Sequence, residues 1–338
     1  MLKWEAMSKT GSAPETRPLS RRTVVLGMAV TTLFGATSGS MAAIRETIVT
    51  ENGLEGSFVR PDGEGPFPAT LIIAGSGPTD RDCNSPMVGL KTDAYLLLAR
   101  SLAAAGIASL RYDKRGVGKS AASASRESDM LFGNAVDDAV TWVGWLGRQV
   151  GVRSVSLVGH SEGALIASVA AKRTPVTGVV VLEGSGRPMG DLIRAQLARV
   201  PMPDAIRTEA NNILDALSSG RTVENVSPGL LALFRPSVQP FLMSIMSVNP
   251  AEVLGSLQLP SLIVWGRRDM QVGEEDFAAL AHARPDAETF VLPTMNHTLK
   301  DVGEGREANL RAYSDPSLPL AGGLAGRLAQ FITKLDGH

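Results

Sequence analysis

The sequence predicts an α/β fold: a mostly parallel sheet with helices on both faces, an N-terminal hairpin and a helical cap insertion. Three observations point that way. Short apolar runs of strand length alternate with helically spaced segments, the pattern of strands joined by crossover helices. Those strands are apolar throughout, as strands covered on both faces are. Asn52-Gly53 separates the first two strand-like runs and marks them as an antiparallel hairpin, which makes the sheet mixed.

Taken in order, residues 46–50 and 56–59 are the hairpin strands. The apolar run 69–74 is a strand that ends abruptly in Gly75-Ser76-Gly77-Pro78. Helical spacing follows over 95–105, with Gly106 as its stop. A strand at 107–112 and a helix at 135–146 come next. The strand 154–158 runs straight into Gly159-His160-Ser161-Glu162-Gly163, and 164–172 is a helix. Strands at 176–183 and 261–265, a helix at 274–283, a strand at 288–292 and a helix at 325–335 complete the alternation.

Between Gly186 and Leu259 the pattern is helical with no strand. The expected organisation is a core made of 44–186 and 259–338, interrupted by a cap at 187–258. The cap is rich in apolar and soft side chains: Met202, Leu230, Leu231, Leu233, Phe234, Phe241, Leu242, Met243 and Met246. An insertion there is expected to cover the carboxyl ends of the strands, where α/β sheets bind ligands. Some of these side chains should then face substrate, and others should bury the cap's own small core.

The first 43 residues read as an export signal rather than as fold. Lys3, Lys9, Arg17, Arg21 and Arg22 precede an apolar run from Val24 to Ala36, and small residues follow to Ala42 and Ala43. That is the order of a secretory signal. About 12 apolar residues make a helix of roughly 18 Å, too short for a hydrocarbon core of about 30 Å. Arg21-Arg22 after Ser20 resembles a twin-arginine signal, although Val24 and Val25 stand where larger apolar residues are usual. The expected location is periplasmic or secreted, without stable membrane insertion once the signal is removed.

Composition narrows the partners. The chain has 338 residues, with 33 Lys plus Arg against 34 Asp plus Glu, so nothing electrostatic favours nucleic acid or an anionic membrane surface. Cys83 is the only cysteine, which excludes an intrachain disulfide framework and leaves a zinc site dependent on His or carboxylate ligands.

The chemistry concentrates at turns after strands. Gly-x-Ser-x-Gly between a strand and a helix strains the serine backbone and exposes its hydroxyl, so Ser161 is the expected nucleophile. A serine hydroxyl needs a base within hydrogen-bond reach. Of the four histidines, His160 abuts the nucleophile and points elsewhere, His282 lies in an amphipathic helix and His338 is terminal. His297, just past the 288–292 strand, is the remaining base. Asp269, in the turn after 261–265, is the expected acid that orients the imidazole. Glu183, at the end of the preceding strand, is its rival. Helix capping ahead of 274–283 would be compatible with the Asp269 role. The oxyanion donors are expected to be the backbone N–H of Glu162 and one from the Gly75 turn, with Gly77 first and Ser76 second.

Together with Gly75-Ser76-Gly77-Pro78-Thr79-Asp80-Arg81-Asp82, Arg111-Tyr112-Asp113-Lys114-Arg115-Gly116-Val117-Gly118-Lys119-Ser120 and Asn296-His297, these residues resemble the serine α/β-hydrolase superfamily. The likeness is greatest to bacterial esterases related to acyl-CoA thioester hydrolase and dienelactone hydrolase domains, and it covers about residues 44–335. It implies the α/β-hydrolase fold and cleavage of small-molecule carboxylic esters through an acyl-enzyme, with no cofactor and no metal. Thioesterase or acyltransferase chemistry would use the same triad, a peptidase shares the fold, and a non-catalytic binding protein could keep the scaffold. One departure is Cys83, where a glycine is expected. The phosphate-loop lookalike ending in Gly118-Lys119-Ser120 fails because Asp113 occupies its first glycine, and Gly75-Ser76-Gly77 lacks the third glycine of a dinucleotide fingerprint. Asp113 and Arg115 are expected instead to brace loops around the elbow.

Overall fold

The computed structural model of the protein describes residues 44–336; the export-signal reading, on 1–43, and His338 lie outside them. Eight strands make the main sheet: β1 (Ile44–Glu51), β2 (Leu54–Pro61), β3 (Phe67–Ile73), β4 (Ala108–Tyr112), β5 (Val152–His160), β6 (Val179–Leu182), β7 (Ser261–Gly266) and β8 (Glu288–Leu292). Their order is β1-β2-β4-β3-β5-β6-β7-β8. Strand β2 is antiparallel to β1 and β4, and every pairing from β4 to β8 is parallel. Asn52 and Gly53 have φ of 48° and 77°, the left-handed pair that a two-residue hairpin turn requires. Asn84–Ser85 and Leu90–Lys91 form a minor pairing away from this sheet.

Helices α1 (Ala94–Ala104), α2 (Phe132–Gly147) and α3 (Glu162–Ala171) follow β3, β4 and β5. Residues 187–258, the expected cap, contribute α4 (Met189–Ala198), α5 (Asp204–Ser218), α6 (Leu231–Phe234), α7 (Gln239–Met246) and α8 (Pro250–Gly255). The chain then forms α9 (Glu274–Ala283), α10 (Arg306–Arg311) and α11 (Leu324–Leu335). Successive strand side chains leave opposite faces of a sheet, and β3 feeds two cores accordingly. Leu71 and Ile73 pack with Trp142 of α2 and Ile166 of α3. Ile72 packs with Leu98 of α1 and with Leu328 and Phe331 of α11. Burying each such side chain contributes about 1.5–3 kcal/mol.

The apolar cap residues mostly serve the cap itself. Within Pro228–Gly255 an 18-residue stretch reaches a mean hydropathy of 1.2, but Pro236 and Pro250 stand at the breaks between short helices, because proline lacks the N–H a continuing helix needs. Leu230, Phe234 and Leu242 bury against Ile193, Ile213 and Leu214, with Leu233, Met243 and Met246 packed around them. Phe241 instead packs on the main core, and Leu231 is exposed. At the base of the cap, Arg187 Nη2 pairs with the fully buried Asp276 at 2.7 Å. On its other side, Gln196 Nε2 donates to the Gln271 carbonyl at 3.1 Å, so α4 touches the turn that carries Asp269.

Register brings the functional turns to one edge. Ile73 lies opposite Gly159, His160 opposite Leu182, and Gly266 opposite Leu292. The turns after β3, β4, β5, β6, β7 and β8 therefore leave the same side of the sheet. Between β3 and β5 the chain order reverses, the switch point at which open α/β sheets bind ligands.

Candidate active site

Ser161 sits in a strained turn between β5 and α3, with φ 56° and ψ −121°. For a non-glycine residue such backbone costs on the order of 1–3 kcal/mol and is held only by tight surroundings. Those surroundings are the flanking glycines. A Cβ on Gly159 would lie 2.1 Å from the Gly163 carbonyl oxygen, and one on Gly163 would lie 2.2 Å from the Ile73 oxygen. No side chain fits at either place, so strand, turn and helix pack backbone to backbone under the serine.

His297 bridges the other two predicted residues. Its Nε2 is 3.1 Å from Ser161 Oγ, and its Nδ1 is 2.6 Å from Asp269 Oδ2. The imidazole is 8% exposed and the Asp269 side chain 0%, so water does not screen their contact. The turn that presents His297 is held by Asn296, whose Oδ1 accepts the N–H groups of Thr298 and Lys300 at 3.1 and 3.2 Å. Asn296 Nδ2 donates to Asn309 of α10, a helix the sequence pattern does not reveal. Asp269 Oδ1 accepts the N–H groups of Gln271 and Val272 at 2.6 and 3.0 Å. Burial would raise the Asp269 carboxyl, but the His297 ring, Glu183 and the Gln271 N–H outweigh it and hold the group below its ordinary value. Asp269, not Glu183, is the carboxylate hydrogen-bonded to the imidazole.

His160 and His282 stand apart from this arrangement. His282 is exposed on α9. His160 is buried, with Nδ1 2.7 Å from Tyr95 Oη and Nε2 2.9 Å from the His297 carbonyl. Burial, reinforced by the neighbouring His297, pushes its pKa down to about 3, so the ring is neutral. A carbonyl only accepts, so Nε2 carries the hydrogen and Nδ1 accepts from Tyr95. Tyr95 Oη in turn accepts the Gly75 N–H at 3.2 Å. One directional chain thus ties the Gly75 turn, the elbow and the His297 turn together. Tyr95→Phe strands the Gly75 donor and the His160 acceptor in a buried site; a loss of about 1–3 kcal/mol is expected, read from the urea midpoint at unchanged m.

Sequence reasoning also missed Lys114. Its ammonium donates to the Gly75 carbonyl and, at 2.7 Å, to the Gly77 carbonyl. Thr79 Oγ1 donates to the Ser76 carbonyl at 3.0 Å. Peptides are planar and trans, so clamping the Gly75 and Ser76 carbonyls aims the following N–H groups, of Ser76 and Gly77, the opposite way. The Gly75 N–H is engaged by Tyr95 and Pro78 has none, which leaves these two as the donors of the turn. Glu162 is the first residue of α3, where a helix N–H has no intrahelical acceptor.

The remaining motif residues brace the neighbourhood. Asp113 accepts the Arg81 N–H at 2.8 Å, Arg81 Nη2 at 2.7 Å and the Lys119 N–H at 2.8 Å. It thereby joins its own turn to the one beyond the Gly75 loop. Arg115 reaches α2 instead, with Nη2 2.5 Å from Asp138. Cys83 has φ 70°, the conformation a glycine adopts without strain; the backbone keeps the glycine-like path with a side chain added. Burial pushes its thiol up to about 11, leaving it inert. Among the described residues, no three His, Cys, Asp or Glu side chains cluster as metal ligands.

This fold and this cluster define an α/β hydrolase. The chain belongs to the alpha/beta hydrolase family, whose model matches residues 85–303. It is 30% identical over 274 residues to the esterase EstD of Thermotoga maritima, an alignment covering 78% of this chain and 62% of that one. The chain therefore spans less than two thirds of that relative's length. Among solved structures, Est1E from Butyrivibrio proteoclasticus is similar with a TM-score of 0.54 and 14% identity, over 87% of this chain and 99% of that one. The Pyrococcus furiosus esterase Pf2001 gives a TM-score of 0.52 and 16% identity, over 90% and 96% of the two chains. At such identities the structures speak to the fold.

Proposed function

We propose that the protein is a serine hydrolase of small carboxylic esters, with Ser161 as nucleophile, His297 as general base and acid, and Asp269 as the acid that orients His297. The observation that carries this reading is the bridge His297 makes, 3.1 Å to the serine hydroxyl and 2.6 Å to a buried carboxylate. The 30% identity to an esterase supports the ester as substrate class.

In this mechanism Ser161 Oγ attacks the ester carbonyl as Nε2 takes its proton. The imidazolium is stabilised by Asp269 and passes the proton to the departing alkoxide. Water then attacks the acyl-enzyme, with His297 again accepting a proton and returning it to Ser161. The backbone N–H groups of Glu162 and Gly77 stabilise the oxyanion, with Ser76 as the alternative to Gly77; each is worth about 2.7–4 kcal/mol in the transition state. Short to medium acyl chains are the substrates this reading expects. Residues 1–43 direct export in this reading, through the twin-arginine route.

The test is labelling by a fluorophosphonate probe followed by peptide mapping, run beside hydrolysis of short nitrophenyl esters and a matched thioester. The expected result is a single adduct on Ser161 and faster turnover of the ester. A thioester preference would move the assignment to thioesterase, and an unlabelled, inert but folded protein would make the scaffold a binding module.

A further inference from the structure

Glu183 is the buried acid that this chemistry does not use. It follows the last residue of β6 with φ 49°, a conformation that is strained for any residue but glycine, and it is 0% exposed. Its Oε1 accepts the Gly266 N–H at 2.9 Å. Its Oε2 is buried and meets no hydrogen-bond donor. Glu183 and Asp269 meet around Gly266: its N–H is held by Glu183 Oε1 and its carbonyl accepts the Asp269 N–H at 3.0 Å, which places both buried carboxyls at one turn. Two adjacent carboxyls shielded from water do not both ionise. Asp269 has the stronger claim on the negative charge, because it faces the His297 ring and two backbone donors, whereas Glu183 has one.

We propose that Glu183 is a positioning residue of the triad: held as a neutral acid, it donates its O–H to Asp269 and restrains that carboxylate for His297. The inference rests on the hydrolase reading above. Burial first, and then the Asp269 charge, push Glu183 well above the ordinary carboxyl range, in line with the geometry. Other titratable or charged groups lie nearby. Tyr313 is buried and accepts from Gln271 at 3.1 Å. The Arg268 guanidinium is engaged by the Val302 carbonyl. Arg267 lies over the Trp265 ring, and His160 is neutral behind His297. The strained backbone at Glu183 is then part of the site, since it delivers the carboxyl from the end of β6 to the back of Asp269.

The experiment compares the wild type with Glu183→Gln and Glu183→Leu by the pH profile of kcat/KM on a nitrophenyl ester. It also records the proton resonance of the His297 Nδ1–H, which is readable without turnover. A glutamine amide replaces a neutral acid donor for donor, so its profile and resonance should superimpose on the wild type. Leucine removes the donor and leaves Asp269 with more charge for the imidazolium. The acid limb should then move to higher pH by about one unit, with the resonance further downfield. An ionised Glu183 predicts the reverse for glutamine: loss of a negative charge moves the acid limb to lower pH, and that result overturns the proposal. So does a leucine variant with both readouts unchanged. If leucine prevents folding, the glutamine profile decides alone. A wild type that hydrolyses no ester while the resonance shifts as described would sink the function and leave this arrangement standing.

Discussion

Ser161→Ala and His297→Ala are each expected to lose about five to six orders of magnitude in kcat on a short nitrophenyl ester, with the protein still folded. The size of the effect follows from how the groups act. Removing the hydroxyl removes the attacking atom. Removing the imidazole leaves a hydroxyl whose proton has no acceptor at 3.1 Å. Either loss disables the same step, so the double variant should be no slower than the worse single one, beyond the residual rate that the oxyanion donors sustain. Folding should survive in Ser161→Ala because the glycine packing around the elbow stays intact, and alanine relieves none of the constraints that hold φ at 56°. Initial rates over a wide enzyme range, with circular dichroism and a urea titration on each variant, provide the check. A folded variant with full activity would refute the assignment.

The parts of this site visible in the sequence are those that chemistry forces into a local pattern. Gly159 and Gly163 mark the elbow because nothing larger than hydrogen fits between backbones there. Asp269 and His297 follow from their places just after apolar strands and from the shortage of other histidines. Strand ends were less legible. β5 extends through His160, beyond the apolar run, because Gly159 and His160 pair with Val181 and Leu182 of β6; the neighbouring strand, not local composition, sets that limit. α3 likewise begins at Glu162, directly after Ser161. Side chains that act across the fold carry no local mark at all. Tyr95 reads as one apolar position of an amphipathic helix, Lys114 as a loop cation, and Glu183 as a rival acid. Only the parallel register, which gathers six strand ends at one edge, shows what each of them touches. The cap was legible as helical, but its helix breaks and its private core depend on packing that periodicity does not encode.

Asp269→Asn is expected to reduce kcat by about four orders of magnitude at neutral pH with little change in stability, for a reason specific to these hydrogen bonds. Oδ1 accepts the N–H groups of Gln271 and Val272 at 2.6 and 3.0 Å. An asparagine must therefore keep its carbonyl on that side, because its amide placed there would face two donors. The amide nitrogen is then turned toward His297 Nδ1, 2.6 Å away in the native pair. Two donors cannot face each other, so the imidazole shifts its hydrogen to Nε2. That nitrogen is the one beside Ser161, and once protonated it cannot accept the hydroxyl proton. In the proposed mechanism the carboxylate thus acts chiefly by selecting a tautomer, and an isosteric amide selects the wrong one. Fluorophosphonate labelling of Ser161 should slow in parallel with ester turnover, because both need the same proton acceptor. A folded Asp269→Asn protein that keeps more than about a tenth of wild-type kcat would mean that another carboxyl orients His297, and Glu183, one strand away, would then be the acid.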